Sequence, residues 1–397
     1  MSVSLCMIVR DEEATLADCL ESARSVVDEM VVLDTGSRDR TVEIAQAARA
    51  KVYSFEWKDD FAAARNAALQ HVQTDWVLVL DADEVLLSGV VPALQTAMQD
   101  EQCFVVNLVR QELGTHQIPY SLVSRLFRRH PDITFKRAYH ESIDDSVLNI
   151  LQREPQWKVL ELGEVAIRHT GYQTDAIVQR HKAQRARTIM ENYLAAHPED
   201  TYICNKLGAL YLELGEPEKG QELLQRGLQS STLEPAVAYE LNYHLACSYS
   251  EAGDFDQAEK YFQTAVEQAI SPYLKLGTYT NWGNVRMEQG NPIAASVLFQ
   301  KVVETDPGFA LGWFNLGTAL KDLGNLEDAI ACYQQAIEIE PTYAPAHQGL
   351  AVAWMKGGRI FESQESFRKA IALYQQQGSP EGDRLQKVLQ ELHLSQG

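Results

Sequence analysis

The stretch Asp75–Leu87, DWVLVLDADEVLL, begins as an apolar run and ends with Asp81, Asp83 and Glu84 inside four residues. A short apolar run of this kind, bounded by polar residues, reads as a strand buried on both faces. The acids at its end need a reason, because two aspartates one residue apart reach the same side only where the chain turns. Two readings stand. Asp81 caps a following helix, Asp83 is solvated, and Glu84 opens that helix. Alternatively, the pair faces a hard divalent cation that keeps some waters and takes its other ligands from a substrate phosphate.

The residues upstream repeat the grammar. VSLCMIV is a short apolar run, and DEEATLADCLESARSVV after it has helical spacing through Leu16, Cys19, Leu20 and Ala23. EMVVLD reads as a second strand and SRDRTVEIAQAARA as a second helix, with Ser37 placed to cap it and Glu43 near its first turn. KVYSF is a third strand, DDFAAARNAALQHV a third helix and WVLVLD a fourth strand. Strands alternating with helices imply right-handed crossovers and a mostly parallel, Rossmann-like α/β sheet. Ligands bind beyond the carboxyl ends of such strands. Three of those ends carry polar residues here: Arg10 to Glu13, Asp34 to Ser37, and Asp81 to Glu84.

From about residue 200 the pattern becomes helix–turn–helix at a near-fixed period. Residues 310–343 place Trp313, Leu316, Gly317, Leu320, Gly324, Ala329, Tyr333, Ala336 and Pro341 where the tetratricopeptide pattern has them, and so resemble that repeat closely. Units 276–309 and 344–377 repeat it, and units 201–234 and 239–272 do so more weakly. This predicts an all-α solenoid of about five repeats over residues 200–377. Residues 378–397 hold a last amphipathic helix, suited to cap an open end. A basic helix over residues 175–196 joins the halves, so the expected domains are 1–172, a linker 173–199, the repeats and the cap.

The chain has 397 residues and a formal net charge of −20. Such a surface repels nucleic acid at long range and argues against that partner. No apolar run approaches a membrane span, and MSVSLCMIVRDEE lacks the basic flank of a signal peptide. The six cysteines form no C-x-x-C pair and several fall on apolar positions, which is the usage of reduced core residues and a cytoplasmic protein. Against this acidity, Arg125, Arg128, Arg129, Lys136 and Arg137 crowd into a short segment. That run is either a solvated face or a local site for an anion such as phosphate.

Four motifs in order, LCMIVRDEE, DEMVVLDTGSRDRTVEIA, DDFAAARNAAL and WVLVLDADEVL, resemble the family 2 glycosyltransferases of the GT-A fold. The likeness covers roughly residues 3–172. It is nearest to the bacterial branch of SunS-like peptide glycosyltransferases and lipooligosaccharide-core glucosyltransferases, which often carries tetratricopeptide repeats. The resemblance implies a nucleotide-sugar donor with UDP favoured, a Mg²⁺ or Mn²⁺ ion, and inversion at the anomeric carbon. It makes Asp81-Ala82-Asp83 the D-x-D motif, with Asp83 on the metal and Asp81 on the ribose or reaching the metal through water. Asp34 matches the base-binding aspartate and Arg65 the arginine that reaches nucleobase or phosphate, while Val9 and Glu12 border the nucleoside. In FKRAYHESI, Glu141 is the expected general base, with Asp144 and Asp145 as rivals. His169, with Tyr172 close by, matches a late histidine that contacts metal or diphosphate.

Of the nearby arginines, Arg125, Arg128 or Arg129 could neutralise the departing diphosphate. As a strand, RLFRR puts Arg125 and Arg129 on one face and Arg128 on the other. The repeat array suggests a protein or peptide acceptor, or a recruited partner, in its groove. Two other functions compete. A nucleotidyltransferase is disfavoured by VRDEEATL, which is acidic and free of glycine where a triphosphate loop would be basic and glycine-rich. An inactive repeat scaffold is disfavoured by the intact set of Asp34, Arg65, Asp81, Asp83 and Glu141.

Overall fold

The computed structural model describes residues 1–113, 119–170, 176–231 and 233–394; Tyr172 lies outside them. The first part of the chain alternates as its periodicity predicts: β1 (Val3–Val9), α1 (Leu16–Ala23), β2 (Glu29–Asp34), α2 (Thr41–Ala47), β3 (Lys51–Ser54), α3 (Phe61–Leu69) and β4 (Trp76–Val79). There follow β5 (Glu84–Leu86), α4 (Val91–Gln99), β6 (Cys103–Glu112), β7 (Tyr120–Arg128), α5 (Asp144–Arg153) and β8 (Lys158–His169).

The eight strands form one sheet in the order β3-β2-β1-β4-β7-β6-β8-β5. The half from β3 to β4 is parallel, as expected. The other half is mixed: β7 runs antiparallel to β4 and β6, β8 is parallel to β6, and β5 is antiparallel to β8. Period-two alternation along β1 sends Leu5 and Met7 to one face and Cys6 to the other. The first face packs against Leu16, Leu20 and Leu94 from α1 and α4. The second packs against Ala64 and Ala68 of α3 and Val147 and Ile150 of α5. This is the GT-A-like fold that the sequence predicts.

Two local expectations change. The second helix starts at Thr41 rather than near Ser37; Asp39 accepts the Thr41 N–H at 2.9 Å, and the Ser37 hydroxyl instead accepts the Asp11 N–H at 3.0 Å. Glu84 opens strand β5 and not a helix, so the acids of DADE turn the chain from one strand into another.

The remainder is helical: α6 (Ala176–Ala196), α7 (Thr201–Glu213), α8 (Pro217–Leu228), α9 (Pro235–Glu251), α10 (Phe255–Val266), α11 (Leu276–Glu288), α12 (Pro292–Thr305), α13 (Ala310–Asp322), α14 (Leu326–Ile339), α15 (Ala344–Lys356), α16 (Ile360–Gln376) and α17 (Glu381–Leu394). The turns inside the repeats carry Gly215, Gly253, Gly290, Gly324 and Gly358 at φ of 76°, 77°, 70°, 84° and 75°, the left-handed position that ends a helix. That is why the glycine recurs at the repeat period.

By internal packing the chain divides into two compact units, Met1–His244 and Leu245–Gly397. The first unit contains the sheet together with α6, α7 and α8. In the second, paired helices close tightly over aromatic rings. A Cβ at Gly349 would meet Tyr333 Cε1 at 2.5 Å, and Tyr333 itself is fully buried. None of the six cysteines is in a disulfide. No helix among the described residues is long and apolar enough to cross a membrane.

Candidate active site

The parallel register brings the polar strand ends together. Val9 lies opposite Asp34, and Cys6 lies opposite Val79, so the residues after β4 run out beside Val9. The loops there are laced to one another. Val9 O accepts Thr35 N at 2.9 Å, the Glu12 N–H donates to Thr41 Oγ1 at 2.7 Å, and the Arg38 N–H donates to Asp11 Oδ1 at 2.7 Å. The Asp34 carboxylate accepts the N–H groups of Gly36 at 3.2 Å and Ser37 at 3.1 Å. Gly36 at φ +105° lets the chain close over that carboxylate, a conformation an L side chain would strain.

Beyond β4 runs a continuous line of charges of alternating sign. His169 Nδ1 lies 2.6 Å from Glu112 Oε2, and Glu112 Oε1 accepts Arg110 Nε at 2.8 Å. Arg110 Nη1 reaches Glu84 Oε1 at 2.8 Å, which also accepts Arg125 Nη2 at 3.0 Å. Arg125 Nη2 meets Asp81 Oδ2 at 2.6 Å, and Arg65 Nη2 bonds the other Asp81 oxygen. Arg65 Nε then donates to Glu141 Oε1 at 2.9 Å. An isolated charge in this position would cost several kcal/mol of lost hydration, of the order known for buried ions; alternation offsets that cost at every link.

The electrostatics follow the geometry. Burial opposes ionisation of Asp81, but the Arg125 and Arg65 guanidiniums hold its carboxyl well below the usual carboxylate range. Burial likewise opposes the charged form of His169, but hydrogen bonds to Asp83 and Glu112 raise its pKa to about 9. The two acids thus flank the imidazole, which can ligate a cation at Nε2 only once that nitrogen has lost its proton.

Two side chains offer converging donors for a divalent cation. Asp83 Oδ2 and His169 Nε2 converge at 3.2 Å, and Glu112 on Nδ1 fixes the ring, as a carboxylate behind a ligating histidine does. Asp81 is less suited than the D-x-D reading supposes, because each of its oxygens already carries an arginine. Among the described residues no cluster of three or more metal-binding side chains occurs. Asp83 and His169 could hold an ion only if its other ligands came from elsewhere, such as phosphate oxygens and water. Ala82 between the aspartates is buried and turns inward.

Glu141 stands in a tight loop closed by the backbone bridge between Lys136 and Ser142. Arg137 and His140 hold φ of 71° and 55°, left-handed values that non-glycine residues adopt only when their surroundings enforce them. The enforcement is visible. Arg137 pairs with Asp145 at 2.8 Å and with Asp200 at 2.9 Å, and lies over the Tyr202 ring at 4.7 Å. Asp200 also caps α7, accepting Ile203 N at 3.0 Å. The first repeat helix thus braces the loop that carries Glu141. The rivals for its role are engaged elsewhere: Asp145 with Arg137, and Asp144 with the hydroxyls of Ser124 and Ser142.

The basic segment does not act as one patch. Arg125 enters the charge line. Arg128 does not: its guanidinium donates to the carbonyls of Cys103 at 2.7 Å and Asp100 at 3.0 Å and stacks on Trp76 and Trp157. Its expected place at the donor gives way to a structural one, because alternation along β7 turns it to the opposite face from Arg125. Arg129 donates to Thr74 O at 2.9 Å.

Sequence reasoning gave Glu84 no role in the site and missed Arg110, Glu112 and Asp200. Arg110 and Glu112 did leave a signal, a charged pair at i and i+2 ending an otherwise apolar strand. The register explains the grouping: His169 lies opposite both Glu84 on β5 and Glu112 on β6.

Residues 4–160 match the family described as Glycosyl transferase family 2, and residues 239–269 and 310–343 match tetratricopeptide repeat families. A TPR repeat-containing protein of Synechococcus elongatus is 43% identical over 392 residues, covering 99% of this chain and 97% of that one. The SPbeta prophage-derived glycosyltransferase SunS of Bacillus subtilis is 26% identical over 203 residues, 49% of this chain and 45% of its own length. An uncharacterized glycosyltransferase of Rickettsia bellii is 24% identical over 188 residues, 45% of this chain and 63% of its own.

Proposed function

Since the chain belongs to the tetratricopeptide-repeat proteins that carry a glycosyltransferase family 2 domain, we propose that it moves a sugar from a nucleotide-diphosphate donor, UDP-linked, to an acceptor hydroxyl or thiol with inversion. The observation that carries this reading is the Arg65 bridge, which draws Glu141 to within one side chain of Asp81 although 60 positions separate them in sequence by the 81 and 141 numbering.

In this reading Asp34, Val9 and Glu12 border the nucleoside at the ends of β1 and β2. Asp83 and His169 hold a Mg²⁺ or Mn²⁺ ion, which when bound supplies positive charge to the diphosphate. Arg65 and Arg125 set the opposite wall. Among the described residues Arg65 Nη1 and Arg125 Nε have no hydrogen-bond partner, so the pair retains donor capacity beyond Asp81. Glu141 takes the proton from the acceptor as its oxygen or sulfur attacks the anomeric carbon. The bond from that carbon to the diphosphate oxygen breaks, and the nucleoside diphosphate leaves with its charge met by Arg125. A single in-line displacement of this kind inverts the centre.

The bracing of the Glu141 loop by Tyr202 of α7 and by Asp200, which caps that helix, supports a protein or peptide acceptor guided by the repeats. The test is a donor-hydrolysis screen across nucleotide sugars with Mn²⁺, Mg²⁺ or EDTA. Release of UDP from a UDP-sugar, lost in EDTA, is the expected result. A purified, folded protein that releases no nucleotide from any donor and binds no nucleoside diphosphate would sink the reading.

A further inference from the structure

Glu84 is 0% exposed, yet it carries a carboxylate with three donors on it. Its Oε2 accepts the Asp81 backbone N–H at 2.9 Å, while its own N–H donates to Asp81 O at 3.0 Å. These two bonds clasp the turn that contains Ala82 and Asp83 from both ends. Its Oε1 accepts Arg110 Nη1 at 2.8 Å and Arg125 Nη2 at 3.0 Å. A turn by itself needs no buried charge, since a neutral side chain that accepts one N–H would close it. The charge has a different use: it holds Arg125 where the same guanidinium nitrogen reaches Asp81 at 2.6 Å.

We propose that Glu84 is a positioning residue for the donor site: its carboxylate sets the direction of Asp83 through the backbone of the turn and the place of Arg125 through its guanidinium. Antiparallel pairing of β5 with β8 sets Glu84 opposite His169, so the same residue lies on the strand edge that presents the other metal-facing side chain. This inference rests on the reading of the Asp83–His169 end as the diphosphate site.

Two variants of the full-length chain test it. Glu84→Gln keeps the volume and an acceptor for the Asp81 N–H but removes the charge from Arg110 and Arg125. Glu84→Asp keeps the charge but is one methylene too short to hold the turn and the arginines at once. Affinity for UDP, GDP and dTDP, with and without Mn²⁺, is measured by calorimetry well below each protein's melting temperature. Circular dichroism gives the folded fraction, so affinity is read per folded molecule. The proposal expects each variant to bind the wild type's preferred diphosphate at least about tenfold more weakly, the range seen when a group behind a ligand is altered.

A purely structural role predicts a lower melting temperature with unchanged affinity of the folded molecules, and that result in either variant would overturn the proposal. Should Glu84→Gln not fold, the charge-keeping Glu84→Asp decides alone. Wild type that binds none of the three diphosphates overturns the donor-site reading and this inference together. Wild type that binds, with variants that bind equally well, overturns this inference only.

Discussion

Arg65 donates its Nε–H to Glu141 at 2.9 Å from a site only 4% exposed on α3. The small residues Ala62, Ala64 and Ala68 around it are themselves buried, and that close packing is what lets a guanidinium lie under the strand ends. Replacing it by methionine leaves Glu141 without its cation and Asp81 with Arg125 alone. Breaking a buried pair in this way costs about 3–5 kcal/mol; the partial exposure of Asp81 puts Arg65→Met near the low end. Urea unfolding measures it. A loss under about 1 kcal/mol would show that the bridge is not held in solution.

If Glu141 is the base, Glu141→Gln removes proton transfer while keeping an acceptor for Arg65. Nucleotide-sugar turnover should fall by about 10²–10⁴-fold, with nucleoside diphosphate affinity within a factor of about three. The comparison with Asp144→Asn matters, since Asp144 only receives two serine hydroxyls. Turnover that survives in the first variant and vanishes in the second would move the base to Asp144.

The parallel half of the sheet could be read from the sequence because its first three strands are short runs each followed by a helix, and period fixes both. The charge line could not, and the reason is physical. Its members come from the turn after β4, from β5, β6, β7, β8 and α3, and from the Glu141 loop, and only the strand order joins them. Glu84 looked like the start of a helix because acids are common there; in fact the acids end one strand and begin the next. Arg128 looked like an anion site because it stood among arginines. Alternation along β7 decides between Arg125 and Arg128, but which face holds the site depends on pairing with β4, which no local pattern records. The repeats were the reverse case: glycine at a left-handed φ and small residues against rings are local demands, so they mark the sequence at every turn.

The metal reading separates Asp83 from Asp81. Asp83→Ala and His169→Ala each remove one converging donor and should weaken Mn²⁺-dependent nucleoside diphosphate binding by about 10–100-fold. Asp81→Asn leaves both donors in place and should spare Mn²⁺ dependence while lowering stability, since it uncouples Arg65 from Arg125. Calorimetry with and without Mn²⁺ gives all three. Equal Mn²⁺ dependence in Asp83→Ala and wild type would remove Asp83 from the ion.

Asp200 has two duties that substitution can split. Asparagine caps a helix as well as aspartate does, whereas alanine costs about 1 kcal/mol. Asp200→Asn should therefore keep α7 stable yet weaken the hold on Arg137, whose φ of 71° needs enforcement. The expected signature is a several-fold lower kcat with an unchanged KM for donor, since the Glu141 loop moves and the nucleoside end does not. Asp200→Ala should add the stability loss. A kcat in Asp200→Asn equal to that of wild type would mean that Asp145 alone holds the loop.

Within Leu245–Gly397, the fold depends on glycines that no left-handed turn requires. Gly349 sits in mid-helix on α15, where alanine would ordinarily be favoured by about 1 kcal/mol. Here a Cβ would stand 2.5 Å from Tyr333 Cε1 and 2.7 Å from its Cζ. That ring is 0% exposed and Gly317 closes on it from α13, so it has no free space into which to turn. The steric cost, about 1–3 kcal/mol for overpacking a filled core, outweighs the helix gain. Gly349→Ala should be destabilising by thermal melting, and amide exchange should quicken in α13 to α15 while α3 and the sheet keep their protection. A stabilised Gly349→Ala would show that the Tyr333 ring yields, and that the aromatic packing which sets the repeat spacing is looser than these contacts require.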